Sequence, residues 1–364
     1  MSYSEEDYYG EKKKDFKNER KIARANDRSQ YKKTDQDKIK KHQIVSTEGE
    51  RGRVISITLY GIEVYSKGEV FLCSLKGTLK QQSTRLKNLV AVGDFVRFVS
   101  HLKKEGVILS VEPRGSILSR ADNLSRTKEQ LIAVNVDQVM ITTSVILPSL
   151  KSSLIDRYLI AASKGKMTPV LVINKMDYLD DQNIDPQERE KEKALLQQLT
   201  IIYEKIGIKV ISVSVNTSEG MEALKETLKD KVSVFSGQSG VGKSSIVNFI
   251  LGTDFKVAGI VGRTKKGKHT TTTSRLIPLE GGGFCIDTPG IRSFGLWNIA
   301  PAEIKDFFYE FEPYACFCKY GNCCHLKEEG CAVKDALDKN QLSIVRYESY
   351  VSLMENVNKK HYNR

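Results

Sequence analysis

One glycine-rich stretch, residues 237–244 with the sequence GQSGVGKS, constrains the fold of this chain more than any other. It follows an apolar, β-type run at residues 232–235 and precedes a helical pattern at residues 246–251. A strand, a loop with this glycine spacing and a helix form a phosphate-binding loop, in which backbone N–H groups and the helix N-terminus meet phosphate oxygens. Lys243 then reaches the β- and γ-phosphates, and Ser244 offers a hydroxyl to Mg²⁺. The stretch predicts that the chain binds a nucleoside triphosphate through Gly237, Gln238, Ser239, Gly240, Val241, Gly242, Lys243, Ser244 and Ser245.

Length, charge and cysteine distribution exclude several classes of protein. The chain has 364 residues and no apolar stretch near the ~20 residues of a membrane span, so we expect two or three domains and no transmembrane helix. A net charge of +12 favours a polyanionic partner such as nucleic acid, although a solvated basic face gives the same composition. Five of the seven cysteines lie between Cys316 and Cys331, which indicates one local metal site rather than a disulfide framework. Because the N-terminus lacks an apolar signal segment, we expect a cytoplasmic protein.

The first two segments of the chain differ sharply in composition. Residues 1–44 hold few aliphatic and many charged side chains, which predicts a disordered arm that either orders on RNA or only keeps the chain solvated. Residues 45–118 carry five short β-type runs separated by turns, which predicts a small barrel of the OB-fold type. The runs are residues 54–58, 62–66, 70–75, 95–100 and 107–111. The basic residues of this segment that are compatible with RNA contact are Arg51, Arg53, Lys80, Arg85 and Lys87.

Residues 119–298 alternate between strand and helix patterns, which predicts an α/β domain whose parallel sheet is covered by helices on both faces. The expected strands are residues 139–143, 168–173, 209–213, 232–235 and 283–286, and the expected helices are residues 151–163, 189–205, 219–229 and 246–251. Residues 299–364 hold the cysteine cluster between two further helical patterns, and we expect them to form a C-terminal domain. Those helical patterns are residues 300–312 and 341–357.

The motif N-K-M-D at residues 174–177 ends a predicted strand, which is where α/β sheets bind ligands. The carboxylate of Asp177 can accept hydrogen bonds from N1–H and the exocyclic amine of guanine, whereas adenine would leave it unpaired. Asn174 can bond the other edge of the base, and the stem of Lys175 can lie against the ring plane. Residues 214–216, after the next predicted strand, are placed to contact the same base. The two segments therefore predict a guanine site that contains Asn174, Lys175, Asp177, Ser214 and Val215.

Two polar segments beyond the phosphate loop have the character of nucleotide-dependent switches. Residues 262–273 are rich in glycine, lysine and threonine and can close a threonine onto Mg²⁺ and the γ-phosphate, although an ordinary flexible loop has a similar composition. After the predicted strand at residues 283–286 the sequence reads D-T-P-G. Asp287 ends that strand, as a carboxylate behind a Mg²⁺ ion should, and Gly290 can present its N–H to the γ-phosphate.

The complete motif set resembles that of Ras-like GTPases, but in a different order. The base motif at residues 174–177 precedes the phosphate loop at residues 237–244, so the chain looks like a circularly permuted GTPase. The predicted barrel, the sequence GKHTTTTSRL at residues 267–276, DTPGIRSFGLW at residues 287–297 and the Cys/His cluster extend the likeness. Residues 45–340 thereby resemble the RsgA family, bacterial GTPases that depend on the small ribosomal subunit.

The resemblance implies a catalytic arrangement that differs from that of Ras-like proteins. Ile291 stands where Ras-like proteins carry the glutamine that orients the attacking water. The family points to His269 as the substitute that positions this water, and to Thr271 as the threonine on Mg²⁺, although the neighbouring threonines leave that register open. The implied catalytic residues are His269, Thr271 and Lys243, and the implied magnesium ligands are Ser244 and Thr271.

The cysteine cluster has the spacing C-x₄-C-x-H-x₅-C from Cys318 to Cys331. Spacing alone also allows registers that use Cys316 or Cys324. The family register implies one structural zinc ion in a closed tetrahedral site. Its ligands would be Cys318, Cys323, His325 and Cys331.

The resemblance also implies a function. It is that of a GTP hydrolase stimulated by the small ribosomal subunit, which binds rRNA and assists late maturation of that subunit, with the GTP or GDP state controlling association and release. We expect GTP or GDP, the subunit and its rRNA as partners, Mg²⁺ and Zn²⁺ as cofactors, no membrane association and a monomeric state. An alternative is a GTP-regulated RNA-binding module in which Ile291 has abolished turnover. A GTPase acting on another RNA or at a membrane surface is a third hypothesis.

Overall fold

The computed structural model describes residues 48–77, 89–101, 104–121, 129–252, 274–287 and 301–362. The predicted N-terminal arm lies outside these residues, as do Lys80, Arg85, Lys87 and the switch segment at residues 262–273. Among the residues that the structure describes, no helix has both the length and the apolar composition needed to cross a bilayer.

The N-terminal region is a closed five-stranded barrel, as the sequence predicts. The first strand pairs with both the second and the fourth, and the third runs parallel to the fifth, so the sheet closes on itself. Alternating side chains fill its interior, with Val64, Phe98 and Ile108 fully buried. The strands are β1 (Glu50–Ile57), β2 (Ile62–Ser66), β3 (Glu69–Leu75), β4 (Phe95–His101) and β5 (Glu105–Val111).

A two-stranded hairpin that the sequence analysis missed follows the barrel. It consists of β6 (Ile117–Ala121) and β7 (Glu129–Val134), paired antiparallel. Leu118 and Ala133 anchor the hairpin in the largest core cluster. Both strands are short, with five and six residues, and neither shows the alternation of apolar and polar residues that marks a strand with one buried face.

The central region is a six-stranded sheet in the spatial order β10-β9-β8-β11-β13-β12, parallel except for the edge strand β12. Its strands are β8 (Gln138–Ser144), β9 (Thr168–Asn174), β10 (Lys209–Ser212), β11 (Val232–Gly237), β12 (Arg275–Pro278) and β13 (Phe284–Asp287). The helices between them are α1 (Ser152–Lys164), α2 (Pro186–Lys205), α3 (Met221–Leu228) and α4 (Lys243–Ile250).

Helices cover both faces of this sheet, which confirms the prediction. Side chains of successive strand residues point to opposite faces. Ile141 accordingly packs in a cluster with α1 and α2, whereas its neighbour Met140 packs with α3 and α4. Because both faces are buried, the strands read as nearly continuous apolar runs, and this is why the sequence revealed them.

The barrel and the central sheet are joined edge to edge. β1 pairs with β12, and the guanidinium of Arg275 lies 3.3 Å from the carboxylate of Glu63. Arg53 lies at the same junction, where it donates to the backbone carbonyl of Asn135 at 2.6 Å and packs over the ring of Phe284. Burial lowers the pKa of Arg53 to about 10. Of the basic residues that the sequence analysis named as compatible with RNA contact, Arg53 thus lies partly buried in this junction and has little surface to offer.

The C-terminal region is built from short helices and one long one. The single helix predicted at residues 300–312 is wrong, because helical turns of different type succeed one another here. Pro313 lies at the start of the last of them, a position that proline tolerates, whereas it would break a continuous helix. The α-helices are α5 (Pro301–Ile304), α6 (Glu312–Ala315), α7 (Ala332–Asp338), which was not predicted, and α8 (Ile344–Tyr362).

Helix α8 lies against α1 of the central region. Ile160 of α1 belongs to the same apolar cluster as Phe308, Tyr350 and Leu353 of the C-terminal region. A buried ion pair joins Arg346 of α8 to Asp156 of α1. The C-terminal region is thus fixed to the helix that directly follows the loop after β8.

Candidate nucleotide-binding site and metal cluster

Segments that follow neighbouring strands meet at one edge of the central sheet. β8, β9, β10, β11 and β13 are mutually parallel, so their carboxyl ends lie on the same side. The N-K-M-D motif begins at the last residue of β9, the glycine-rich loop begins at the last residue of β11, and Asp287 is the last residue of β13. This edge is where open α/β sheets hold their ligands.

The loop after β11 has the backbone geometry of a phosphate cradle. Gly237, Gly240 and Gly242 all have positive φ angles, of 151°, 87° and 90°. A Cβ at Gly237 would lie 2.0 Å from the carbonyl oxygen of Thr142, and one at Gly242 would lie 2.3 Å from Nδ2 of Asn174. Only glycine fits these positions, which leaves the backbone N–H groups open for an anionic ligand.

Helix α4 starts directly after this loop and supplies the remaining groups of a phosphate site. The ammonium of Lys243 lies across the loop and donates to the carbonyls of Gly237 and Gln238 at 2.9 and 2.6 Å. Ser244 is exposed in the first turn of α4. Its hydroxyl is a hard oxygen ligand of the kind that Mg²⁺ prefers, so the residues present fit a magnesium nucleotide.

Asn174 joins the base motif to the phosphate loop. It is 3% exposed, and its side-chain amide donates to the backbone carbonyl of Val241 at 2.9 Å. One amide hydrogen remains for a ligand, whereas the side-chain oxygen has no hydrogen-bond partner among the described residues. The bond fixes the distance between the two halves of the site, a role that the sequence analysis did not foresee.

Both oxygens of the Asp177 carboxylate are held by the loop that follows β10. The hydroxyl of Ser214 donates to one oxygen at 2.6 Å, and the amide of Asn216 donates to the other at 2.9 Å. Ser214 thus contacts Asp177, whereas the sequence analysis expected it at the base itself. Val215, the other predicted residue of this loop, packs partly buried against the apolar cluster of α3 and α4.

Lys175 rests on the loop after β8, which the sequence analysis did not assign to the site. Its ammonium donates to the carbonyl of Leu147 and lies 5.3 Å from the ring centre of Tyr178. Burial lowers the pKa of Lys175, and the neighbouring Asp177 opposes that shift. One feature of the sequence indicates that the loop after β8 belongs to the site, namely its position after a predicted parallel strand. The loop itself carries no recognisable motif.

Several predicted residues stand outside this geometry. His269, Thr271 and Gly290 lie outside the described residues, and of Asp287 the structure describes the backbone. Their catalytic and magnesium-binding roles therefore stay predictions.

The predicted zinc ligands converge in the C-terminal region. The ligand atoms of Cys318, Cys323, His325 and Cys331 all lie within 4.8 Å of one another. Nδ1 of His325 lies 3.6 Å from Sγ of Cys318 and 3.4 Å from Sγ of Cys331. A tetrahedral zinc site places sulfur and nitrogen ligands about 3.6 Å apart, so these residues fit the ion. Burial is the main reason that the pKa of Cys323 is raised to about 12, and a divalent cation would stabilise the thiolate.

The loop that carries these ligands is held from two sides. The carboxylate of Glu328 accepts the backbone N–H groups of Cys324, Leu326 and Lys327 at 2.8 to 3.0 Å. From α8, Tyr347 donates to the carbonyl of His325, and Tyr350 donates to that of Cys324. These hydrogen bonds hold the ligand-bearing loop in place through contacts within the loop and with α8.

The two remaining thiols of the cluster point to backbone carbonyls. Cys316 lies 3.6 Å from the oxygen of Pro313, and Cys324 lies 3.7 Å from that of Asn322. Neither thiol belongs to the converging group. The arrangement supports the register that the resemblance implies.

Comparison with known sequences assigns the family. Residues 111–297, more than half of the chain, match the profile of the family described as RsgA GTPase. The chain belongs to the RsgA GTPase family. A relative from Vibrio parahaemolyticus, named small ribosomal subunit biogenesis GTPase RsgA 1, is 37% identical over 97% of this chain and 98% of its own. A Bacteroides fragilis relative named small ribosomal subunit biogenesis GTPase RsgA is 37% identical over 79% of this chain and 90% of its own.

Solved structures of similar proteins share the architecture of this RsgA GTPase. The crystal structure of YjeQ from Thermotoga maritima has a TM-score of 0.68 and 32% identity, and it covers 85% of this chain and 98% of its own. YloQ, described as a circularly permuted GTPase, has a TM-score of 0.66 and 27% identity, with 88% and 98% covered. The prediction of a permuted GTPase fold with a barrel is thereby confirmed.

The permutation does not separate the parts of the site. In this RsgA GTPase the base motif precedes the phosphate loop in the chain, yet the contact between Asn174 and Val241 joins them in space. Only β8 lies between β9 and β11 in the sheet, so proximity in the sheet, rather than order in the sequence, brings the two motifs together.

Proposed function

We propose that this chain is a GTP hydrolase that the small ribosomal subunit stimulates, and that it binds rRNA and assists late maturation of that subunit. The observation that carries the nucleotide part is the Asp177 carboxylate, held by two donors beside a phosphate loop. The ribosomal part is supported by the names of the relatives from Vibrio parahaemolyticus and Bacteroides fragilis. A ribosomal partner also implies a cytoplasmic location, and we propose a monomer as the active state.

The described residues would bind and orient the nucleotide. The N–H groups of the loop after β11 and the start of α4 hold the phosphates, and Lys243 exchanges its two loop carbonyls for phosphate oxygens. Asp177 accepts from the Watson–Crick edge of guanine, while the stem of Lys175 covers the ring. A bound Mg²⁺ ion would neutralise charge on the transferring phosphoryl group, and Ser244 and Thr271 are its proposed ligands.

Hydrolysis needs an oriented water molecule, and we propose His269 as the residue that positions it. The side chain of Ile291 has no polar atom with which to hold water. Thr271 and the N–H of Gly290 would approach the γ-phosphate from the two switch segments, with Asp287 behind the metal. A partner that orders His269 would raise the rate, and this is the proposed basis of stimulation by the small subunit.

The joints between the regions suggest how nucleotide state controls association. β12 begins just after the first proposed switch and pairs with β1 of the barrel, while β13 leads directly into the second. Closure of the switches on GTP would therefore act on the barrel, and we propose that GTP favours the subunit-bound state and GDP the released one. Equal affinity of the subunit for the protein with GDP and with a non-hydrolysable GTP analogue would contradict this control.

We propose the same four units that the sequence suggested. They are an arm at residues 1–44, a barrel at 45–118, a GTPase domain at 119–298 and a zinc-binding domain at 299–364. The end of β5 at Val111 and the start of α5 at Pro301 support the second and third limits. One zinc ion would stabilise the last unit, without an open position for catalysis.

Replacing Asp177 by asparagine is expected to weaken GTP binding by roughly 10²-fold or more, since two charge-assisted hydrogen bonds to guanine are lost. The same variant should gain affinity for xanthosine triphosphate, whose 2-oxo group accepts from the new amide. Titration with fluorescent analogues of both nucleotides measures this exchange. Asp180→Asn is the matched control, because Asp180 is an exposed carboxylate three residues further on. If Asp177→Asn kept the wild-type preference for GTP, the assignment of the base site would be wrong.

A further inference from the structure

Besides Ser214, the loop after β10 holds a second polar side chain, that of Asn216, which contacts the base-reading carboxylate of Asp177. The amide of Asn216 donates to Oδ2 of Asp177 at 2.9 Å, although 39 residues separate the two in the sequence. Oδ1 of the same carboxylate accepts the hydroxyl of Ser214 at 2.6 Å. The carboxylate is therefore held at both ends, by one donor on each oxygen.

Hydrogen bonds within the loop hold the backbone that carries Ser214 and Asn216. The backbone N–H of Ser214 donates to the carbonyl of Glu219 at 3.0 Å, and the backbone N–H of Thr217 donates to the hydroxyl of Ser214 at 3.2 Å. Ser214 is fully buried, whereas Asn216 is exposed. Because Asn216 is exposed, its contact with Asp177 contributes nothing to the packing of the core. The contact therefore points to a role in the nucleotide-binding site.

A carboxylate offers about four lone-pair positions, and Ser214 and Asn216 use two of them. The other two can accept hydrogen bonds from N1–H and the exocyclic amine of guanine only in one orientation of the carboxylate plane. Rotation about the Cβ–Cγ bond moves both oxygens of the planar carboxylate together, and the single hydrogen bond from Ser214 leaves part of that rotation open. Asn216 stops that rotation, and an acceptor that is already oriented loses less freedom when a ligand binds.

We propose that Asn216 is a positioning residue for base discrimination, which orients Asp177 toward the exocyclic amine of a guanine base. This inference rests on the proposed function, because it assumes that a guanine nucleotide occupies the site. It adds a residue that sets selectivity between purine bases that differ only at position 2.

The test compares GTP with inosine triphosphate, which keeps N1–H but lacks the exocyclic amine. Binding of both nucleotides to the full chain is measured for wild type, Asn216→Ala, Asn216→Asp and the neighbouring control Thr217→Ala. The affinity ratio of GTP to inosine triphosphate is expected to fall roughly three- to tenfold in Asn216→Ala, which is about the effect of one lost hydrogen bond of ordinary strength. It should fall further in Asn216→Asp, which places a second carboxylate beside the first.

The ratio separates positioning from a general structural effect. A variant that merely loosens the loop would weaken both nucleotides alike and leave the ratio at its wild-type value, which would overturn the inference. Thr217→Ala should keep the wild-type ratio, because its side chain makes no contact with Asp177 among the described interactions. A wild-type chain that binds neither nucleotide would overturn the proposed function itself, whereas normal GTP binding with an unchanged ratio in Asn216→Ala would overturn only this inference.

Discussion

Replacing Arg346 by methionine is expected to destabilise the folded protein by about 3–5 kcal/mol, because it leaves buried carboxylates without their cation. The side chain of Arg346 is 4% exposed, and its guanidinium binds Asp156 on one side and Glu310 on the other. Its bonds to Glu310 are 2.6 and 3.2 Å long. Tyr203 donates to the same oxygen of Asp156 at 2.9 Å, and Phe308 packs on the guanidinium with its ring centre 4.3 Å away.

Burial is the reason for the size of this effect. Asp156 is fully buried, and this desolvation raises its pKa, although Arg346 acts in the opposite direction. Without the guanidinium, Asp156 must stay charged and unpaired or take up a proton, and both cost free energy. Asp156 belongs to α1, Arg346 to α8 and Glu310 to the turns before α6. The lost stability therefore concerns the contact between the central and C-terminal regions.

Denaturant unfolding followed by circular dichroism measures the change. Lys339→Met is the matched control, because Lys339 is an exposed cation at the end of α7 and should change stability little. The double variant Asp156→Leu with Arg346→Met should lose less than the two single changes added together, since it removes both members of the pair. If Arg346→Met lowered the free energy of unfolding by less than about 1 kcal/mol, these ion pairs would contribute no more than solvent-exposed salt bridges do, and the prediction would be wrong.

Removal of one predicted zinc ligand is the second change with a large expected effect. Cys331→Ser should abolish stoichiometric zinc binding and unfold the C-terminal region, because structural zinc contributes an apparent 10–16 kcal/mol in small zinc-binding peptides, as an order of magnitude. Cys331 is 2% exposed and lies beside His325, so the structure has no spare ligand at this corner among the described residues. A chelator should produce the same unfolding in the wild type.

The surplus cysteines provide the controls for this experiment. Cys316→Ser and Cys324→Ser should each keep one zinc ion per chain, since their thiols point to backbone carbonyls. Elemental analysis of the purified protein gives the stoichiometry, and melting with and without chelator gives the stability. Retention of a full zinc ion by Cys331→Ser, or its loss from Cys324→Ser, would mean that a different set of ligands holds the metal.

The strands of the barrel and five of the six strands of the central sheet could be predicted from the sequence within a few residues, whereas the short strand β12 (Arg275–Pro278) was missed. Their signal is local, since alternating or continuous apolar runs end at turn residues. The predicted strand at residues 62–66 is β2 itself, and residues 95–100 lack only the last residue of β4. The helix predicted at residues 300–312 failed because the backbone leaves the helical conformation at Phe308, with φ −106° and ψ 66°, and no turn residue marks that break in the sequence.

The chemistry of the site could be predicted from the sequence, but its internal contacts could not. Two motifs identified the phosphate loop and the base-reading carboxylate, because their residue types and spacing are set by the ligand. The bond from Asn174 to Val241 spans 67 residues, and that from Asn216 to Asp177 spans 39. Such contacts depend on the order of the strands in the sheet, and no local pattern carries that information.

The central claim is that this chain is a GTPase whose turnover the small ribosomal subunit accelerates. The most direct test is the GTP hydrolysis rate of the full chain, with and without purified small subunits, for wild type and His269→Ala. We expect slow intrinsic turnover, strong stimulation by the subunit and loss of that stimulation in His269→Ala. Stimulation that survives in His269→Ala would keep the ribosomal assignment and contradict the role of His269. No stimulation of the wild type would contradict the central claim and favour a GTP-regulated RNA-binding module.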